Sequence, residues 1–182
     1  MKDGLCVRGM VKAIVYDKDG NIKRKKQNLI QKLFRIPGKQ MIYKHHNNLT
    51  TVGEAMIADC LANSSVLQKL EYGHGYIQVG TGWTGNSPKL NTKCNTPGGI
   101  AAIEEDYPEV QANFGSEGQN VLINKASFPA GSLVLQNINE CALLNGNGDD
   151  ALCFAYATLE EPCSISSADS LTIYWYITFI GV

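Results

Sequence analysis

The chain is short of charge: 18% of its residues are Asp, Glu, Lys or Arg, while 44% are hydrophobic. Soluble domains average about 25% charged residues, so part of this surface is expected to be covered in an assembly. Neither sign of charge dominates. The net charge of −1 argues against a general affinity for nucleic acid and leaves only a local basic patch to consider. No apolar run approaches the ~20 residues of a membrane-spanning helix, so no membrane partner is expected. The opening Met1-Lys2-Asp3-Gly4-Leu5-Cys6 lacks the apolar core of a signal peptide. No Cys-x-x-Cys spacing occurs among Cys6, Cys60, Cys94, Cys141, Cys153 and Cys163, and no histidine flanks them at zinc-ligand spacing. A chain of 182 residues does not need a disulfide framework. Cys60, Cys141 and Cys153 fall inside apolar patterns, so buried, reduced thiols are expected. Prolines number six against eighteen glycines, which suits the many turns of a short-stranded β-protein.

What is present is organised around Ser170 to Ile180. Leu171, Ile173, Trp175, Ile177 and Phe179 share one side of an extended chain, and Thr172, Tyr174, Tyr176 and Thr178 the other. This alternation, with β-branched and aromatic side chains throughout, predicts a half-buried central strand with Trp175 and Phe179 in the core. Its outer face carries Tyr174 and Tyr176 in place of lysines and glutamates, as a face covered by another subunit would.

Other segments fit the same class. Val11–Asp17 alternates, Lys18-Asp19-Gly20-Asn21 reads as a turn, and Ile22–Gln27 as the return strand of a hairpin with Lys23, Arg24, Lys25 and Lys26 exposed. Asn28 to Asn47 reads as a loop with a few buried anchors. A loop this long suggests an arm that orders on a partner. Thr51 and Glu54 form a capping-box pattern for one helix over 51–63, with Val52, Ala55, Met56, Cys60 and Leu61 as its apolar stripe. Gly75–Gly80, Val121–Phe128, Leu133–Leu144 and Ala151–Leu159 read as strands. Residues 85–119, Asn145–Asp150 and Glu160-Glu161-Pro162 read as loops and turns. The pattern predicts a mainly β protein: an antiparallel, jelly-roll-like β-sandwich over 48–182, with an N-terminal hairpin and extended arm over 1–47.

Candidate chemistry is sparse. Asp17, Asp19 and Asn21 resemble the opening of a calcium loop, but the closing glutamate is missing and a basic run follows. The glycines after Val79 invite a phosphate-loop reading, yet no lysine follows Gly85 and no apolar helix begins there. His45 and His46 are adjacent and point apart in most backbones. Glu104, Glu105 and Asp106 pair carboxylates without a matching nucleophile or base. Glu140 lies in an otherwise apolar strand and needs partners if buried, either a backbone turn or a cation. It is expected to be a structural anchor. No catalytic residue, cofactor or metal is expected.

Three stretches together resemble a family. Asn48-Leu49-Thr50-Thr51-Val52-Gly53 leads into the helix, and Ile77-Gln78-Val79-Gly80-Thr81-Gly82 precedes Leu90-Asn91-Thr92. Ile138-Asn139-Glu140-Cys141-Ala142-Leu143-Leu144 precedes Asp169 to Ile177. This order is similar to that of small virion structural proteins of tailed bacteriophages over about residues 45–182. Ala142 stands where that pattern has glycine, and residues 28–47 have no counterpart in it. The resemblance implies a β-sandwich assembling in many copies on a head, neck or tail, and it implies no catalytic residues.

The expected function is therefore that of a non-enzymatic virion protein, most concretely a capsid cement or decoration protein over the joints between major capsid subunits. A neck, tail or baseplate component is the alternative within the class. The expected partners are other virion proteins and further copies of the chain, and the expected location is the virion, assembled in the host cytoplasm. Lys23, Arg24, Lys25, Lys26, Phe34, Arg35, Trp83, Tyr174 and Tyr176 are the candidate interface residues. From another class comes a carbohydrate-binding module, with Trp83, Tyr72 and Tyr76 as its platform.

Overall fold

The computed structural model describes residues 5–62, 67, 69–85, 87–114 and 119–181. The expected helix end at Asn63 and the parts of the expected loops at 86 and 115–118 lie outside these residues. The protein is mainly β: nine antiparallel strands in one curled, half-barrel sheet, with two helices. The strands are β1 (Leu5–Tyr16), β2 (Ile42–Leu49), β3 (Tyr76–Gly80), β4 (Pro97–Ala102), β5 (Glu109–Phe114), β6 (Gln119–Phe128), β7 (Leu135–Leu144), β8 (Cys153–Ile165) and β9 (Ser170–Gly181). The helices are α1 (Leu29–Leu33) and α2 (Thr51–Leu61). Neighbours across the sheet run β4-β3-β7-β8-β2-β1-β9-β6-β5.

The connectivity forces the curl. β4 and β5 are opposite edges, yet only residues 103–108 join them. A flat nine-stranded sheet would hold its edges roughly 38 Å apart, and so short a link reaches at most about 25 Å. The sheet bends until the link docks on β6, where the Glu104 N–H donates to the Lys125 carbonyl at 2.9 Å. All nine strands are bonded edge to edge, where a sandwich would divide them between two sheets.

Inside the curl lies one core. β9 supplies Leu171, Ile173, Trp175 and Ile177, all buried, and β1 supplies Val11, Ala13 and Val15. The expected alternation of the last strand is the one observed, and β9 lies between β1 and β6. Phe179 is half-buried at the edge of the same core.

Four expectations need correction. First, Ile22–Gln27 is not a return strand. Only the bridges Tyr16↔Ile22 and Arg24↔Gln40 form there, and β1 pairs instead with β2 and β9. The expected arm of 28–47 is accordingly shorter, because Ile42–Leu49 is a central strand bonded to β1 and β8. The sheet therefore runs through the boundary expected at 47/48. Second, the cap of α2 is one residue earlier. The Thr50 hydroxyl oxygen accepts from the Gly53 N–H at 2.9 Å, and the hydroxyl donates to the Cys153 carbonyl of β8, which ties the helix start to the sheet. Gly53 is required here, since a Cβ would lie 2.0 Å from the Phe154 carbonyl oxygen. Third, residues 85–119 contain two edge strands, β4 and β5, whose glycines and polar side chains carry no alternation. Fourth, Glu160-Glu161-Pro162 does not turn the chain. It lies within β8, where the β7 register shifts between Ile138 and Glu140 and accommodates a proline that cannot donate.

Candidate assembly surface

On the outer face of β3, β7 and β8 lies a second, smaller core of Cys94, Ala142, Leu144, Cys153 and Tyr156, covered by the loops after β3 and before β4. Glu140 holds those loops down. It is fully buried, and its Oε1 accepts from the N–H groups of Gly82 (2.8 Å) and Thr96 (2.9 Å). Its Oε2 accepts from the Asn95 N–H (2.9 Å) and from the Tyr156 hydroxyl. Burial raises the Tyr156 phenol well above its ordinary pKa, and the neighbouring Glu140 raises it further, so Tyr156 remains a donor. Gly80 permits the close approach, since a Cβ there would lie 2.5 Å from Glu140 Oε1. Every oxygen is occupied by the protein's own donors. The arrangement clamps loops and leaves no lone pair aimed at a substrate.

The other chemical candidates are likewise used locally. Asp17 Oδ1 accepts from the N–H groups of Asp19 and Asn21, both at 3.0 Å, so it closes its own turn. Glu104 bonds the Lys125 Nζ and the Ser127 hydroxyl, both at 2.7 Å. Partial burial works against its charge, but these bonds outweigh it and hold the carboxyl below its ordinary pKa. His45 and His46 sit in β2 opposite Val11 and Met10. Among the described residues no group of three His, Cys, Asp or Glu is placed to hold a metal ion. Cys94, Cys141, Cys153 and Cys163 are buried free thiols, and burial pushes Cys153 and Cys163 up to about 12. Cys60, expected in the core, is exposed, because it lines an open cavity beside α2 instead of packing against the sheet.

The aromatic candidates divide. Trp83, a candidate interface and platform residue, is half-buried. Its ring lies 5.9 Å from that of Tyr156, and its backbone N–H donates to Asn139 Oδ1 at 3.1 Å. Tyr174 and Tyr176 are half-buried on the outer face of β9, stacked on each other, with Phe114 against Tyr176 and Lys12 and Lys125 over Tyr174. Part of the cover expected from another subunit thus comes from the chain itself. Tyr72 is exposed before β3 and Trp83 lies beyond its other end, so the five-residue strand separates them by roughly 17 Å.

The exposed apolar surface is elsewhere, on the segment between β1 and β2. Its base is fastened to the sheet: Lys23 pairs with the buried Asp169, and Lys25 and Lys39 both pair with Glu161. Arg24 donates to the Gly38 carbonyl at 2.9 Å, and the Gln27 amide to the Ile36 carbonyl at 2.6 Å, which closes the arm on itself. At the tip, α1 is only five residues long, too short to persist by propensity alone. Asn28 and Gln31 form a reciprocal capping box at its start. Arg35, with φ at +53°, ends it, and the Ile36 N–H returns to the Gln31 carbonyl at 2.8 Å. On this braced tip Leu29, Ile30, Leu33, Phe34 and Ile36 are 49–83% exposed. No Asp or Glu occurs from Asn21 to Gly53, and Lys26, Lys32 and Arg35 flank the cluster. Phe34 and Arg35, candidates from the sequence, are exposed at this tip, whereas Lys23 and Lys25, expected to be exposed, are half-buried and, with Arg24, are engaged within the chain. Leu29, Ile30, Leu33 and Ile36 were not singled out, because the segment read as a loop with a few buried anchors.

A second open apolar surface lies on α2. Met56, Ile57, Cys60 and Leu61 face Leu122 and Phe154 around a cavity of about 310 Å³. Glu54 and Asp59 lie on either side of the helix stripe. No protein-family model, curated protein or solved structure matches the chain.

Proposed function

We propose that the chain is a non-enzymatic structural protein of a tailed-phage virion, most concretely a cement or decoration protein that binds over joints between capsid subunits. The observation that carries this reading is the braced arm, which holds five large apolar side chains in solvent beside cations that have no acidic partner among the described residues. Monomeric proteins scatter such residues, and a contiguous apolar patch rimmed by polar groups marks an interaction site. An arm already closed by its own bonds loses little entropy on docking. The resemblance of the sequence motifs to those of small virion proteins, the low overall charge, and a buried carboxylate committed to loop anchoring support the same reading. In this reading the curled sheet is a jelly-roll-like relative of the β-sandwich, and the virion is where the chain resides. A neck, tail or baseplate position uses the same arm on a different neighbour.

The test is co-sedimentation of the purified chain with tailed-phage heads assembled without it, beside separated necks and tails. Saturable binding to heads, lost on Leu33→Glu with Phe34→Glu, supports the cement role. Binding to necks or tails alone moves the chain there, and binding to none of them refutes the virion reading.

A further inference from the structure

The exposed arm and the open cavity have matching designs. On α1 the apolar residues are Leu29, Ile30, Leu33 and Phe34, and on α2 they are Met56, Ile57, Cys60 and Leu61. Both follow the spacing i, i+1, i+4, i+5, which gathers four side chains on one helical stripe. The α1 stripe projects into solvent. The α2 stripe forms one wall of a cavity whose other walls are the sheet and Leu67, Lys69 and Leu70 of the segment after α2. An exposed helix stripe seated in an apolar groove is a recurrent mode of protein recognition.

Charge is complementary as well. The arm tip carries Lys26, Lys32 and Arg35 with no acidic partner among the described residues. At 100° per residue, Glu54 falls on one side of the α2 stripe and Asp59 on the other. Among the described residues Glu54 pairs with Lys89, in an exposed contact at 2.8 Å of a kind that yields readily to a competing cation. Lys69 is the one cation among the described residues lining the cavity.

The two surfaces do not meet within one chain. The arm leaves β1 at Tyr16 and rejoins at Ile42, the end of the sheet where Tyr16 pairs with Ser170. The cavity is at the other end, beside Phe179, Leu122 and Phe154, and α2 follows directly from the far end of β2. β1, twelve residues long, spans most of the distance between them, roughly 40 Å. A complementary pair of patches on separate parts of one surface is the condition for association between copies.

We infer that the arm tip of one copy, Leu29 to Ile36, docks in the α2 cavity of a second copy, with Lys32 and Arg35 against Glu54 and Asp59. This names a partner for the arm and rests on the assembly reading above. The assay, however, needs the purified chain alone. An arm-defective variant carries Leu33→Glu and Phe34→Glu, and a cavity-defective variant carries Cys60→Lys and Leu61→Lys. All four side chains are exposed, so both variants should fold, which circular dichroism checks. Sedimentation velocity is then run over a concentration series. The wild type should self-associate, and each variant should weaken this by roughly 100-fold, the scale of losing central anchors. An equimolar mixture of the two variants should form a one-to-one complex, because each mixed pair retains one intact arm and one intact cavity. Failure of the mixture to associate, or self-association that survives both variants, overturns the inference. A wild type that stays monomeric yet binds phage heads through its arm also overturns it, while leaving the virion reading intact. Self-association through arm and cavity without binding to any virion part does the reverse.

Discussion

Replacing Glu140 by Gln should destabilise the protein far more than an ordinary isosteric change. The carboxylate accepts from three backbone N–H groups and one phenol in a fully buried site. Gln keeps the shape but has one acceptor oxygen and one amide donor. If the oxygen stays at Gly82 and Thr96, the amide points at the Asn95 N–H, donor against donor, and only the Tyr156 hydroxyl can rotate to accept. The substitution thus strands one buried backbone donor, a cost of about 1–3 kcal/mol, and turns the remaining charge-assisted bonds into neutral ones worth roughly 1 kcal/mol less each. The sum, about 3–5 kcal/mol, is a large part of a domain stability of ~5–15 kcal/mol. At 2–4 °C per kcal/mol for a chain of this size, the melting temperature should fall by roughly 6–20 °C. Urea denaturation followed by circular dichroism measures the loss. Amide hydrogen exchange localises it to Gly82, Asn95 and Thr96, which should lose protection before the β1–β9–β6 strands. Tyr156→Phe removes a single donor and should cost only ~1–2 kcal/mol. An unchanged urea midpoint for Glu140→Gln would refute the clamp.

Other predictions follow from the same structure. Trp175→Ala, in the centre of the core, should cost ~3–5 kcal/mol by thermal melting, and an unchanged Tm would remove Trp175 from the core. A thiol reagent at pH 8 should label Cys60 promptly in the folded protein, while Cys94, Cys141, Cys153 and Cys163, buried and shifted upward, should need denaturant. Fast labelling of all six thiols would contradict the packing. Asp169 is desolvated, but Lys23 and Ser166 outweigh that and hold its carboxyl below the ordinary 3.8. Its contribution should be fully present above that value and lost as pH falls through the lower folded pKa, because the unfolded chain takes up the proton first. Asp169→Asn should flatten that part of the stability curve, and an unaltered acid limb would show that the carboxyl is not linked to folding.

How much of this was legible depends on where each residue's partners lie. β9 was read correctly because alternation records burial on one face, and Trp175 and its neighbours are buried on that face. The role of Glu140 as an anchor followed from the cost of a lone buried carboxylate, although nothing local told that its donors come from Gly82, Asn95 and Thr96. β2 was missed because its Lys44, His45, His46, Asn47 and Asn48 resemble a loop. Its strand state comes from hydrogen bonds to β1 and β8, which composition does not encode. β4 and β5 were missed for the same reason, being edge strands with few side chains to pack. Trp83 was expected as an interface anchor, and its packing on Tyr156 was not legible because that partner is distant in sequence. The single curled sheet depends on which strands are neighbours, a matter of long-range pairing set by the short link between β4 and β5. The arm tip was misread in the opposite sense: it was expected to be a loop with a few buried anchors, and Leu29, Ile30, Leu33, Phe34 and Ile36 are exposed instead.

The central claim is that the arm fixes the chain to a neighbour in a virion, and electron cryo-microscopy of heads decorated in vitro tests it most directly. Wild-type protein should give regular density over capsid joints, with residues 29–36 at a contact, and the Leu33→Glu, Phe34→Glu variant should leave the shell bare. Equal decoration by both proteins, or density in which the arm points away from every neighbour, would contradict the account.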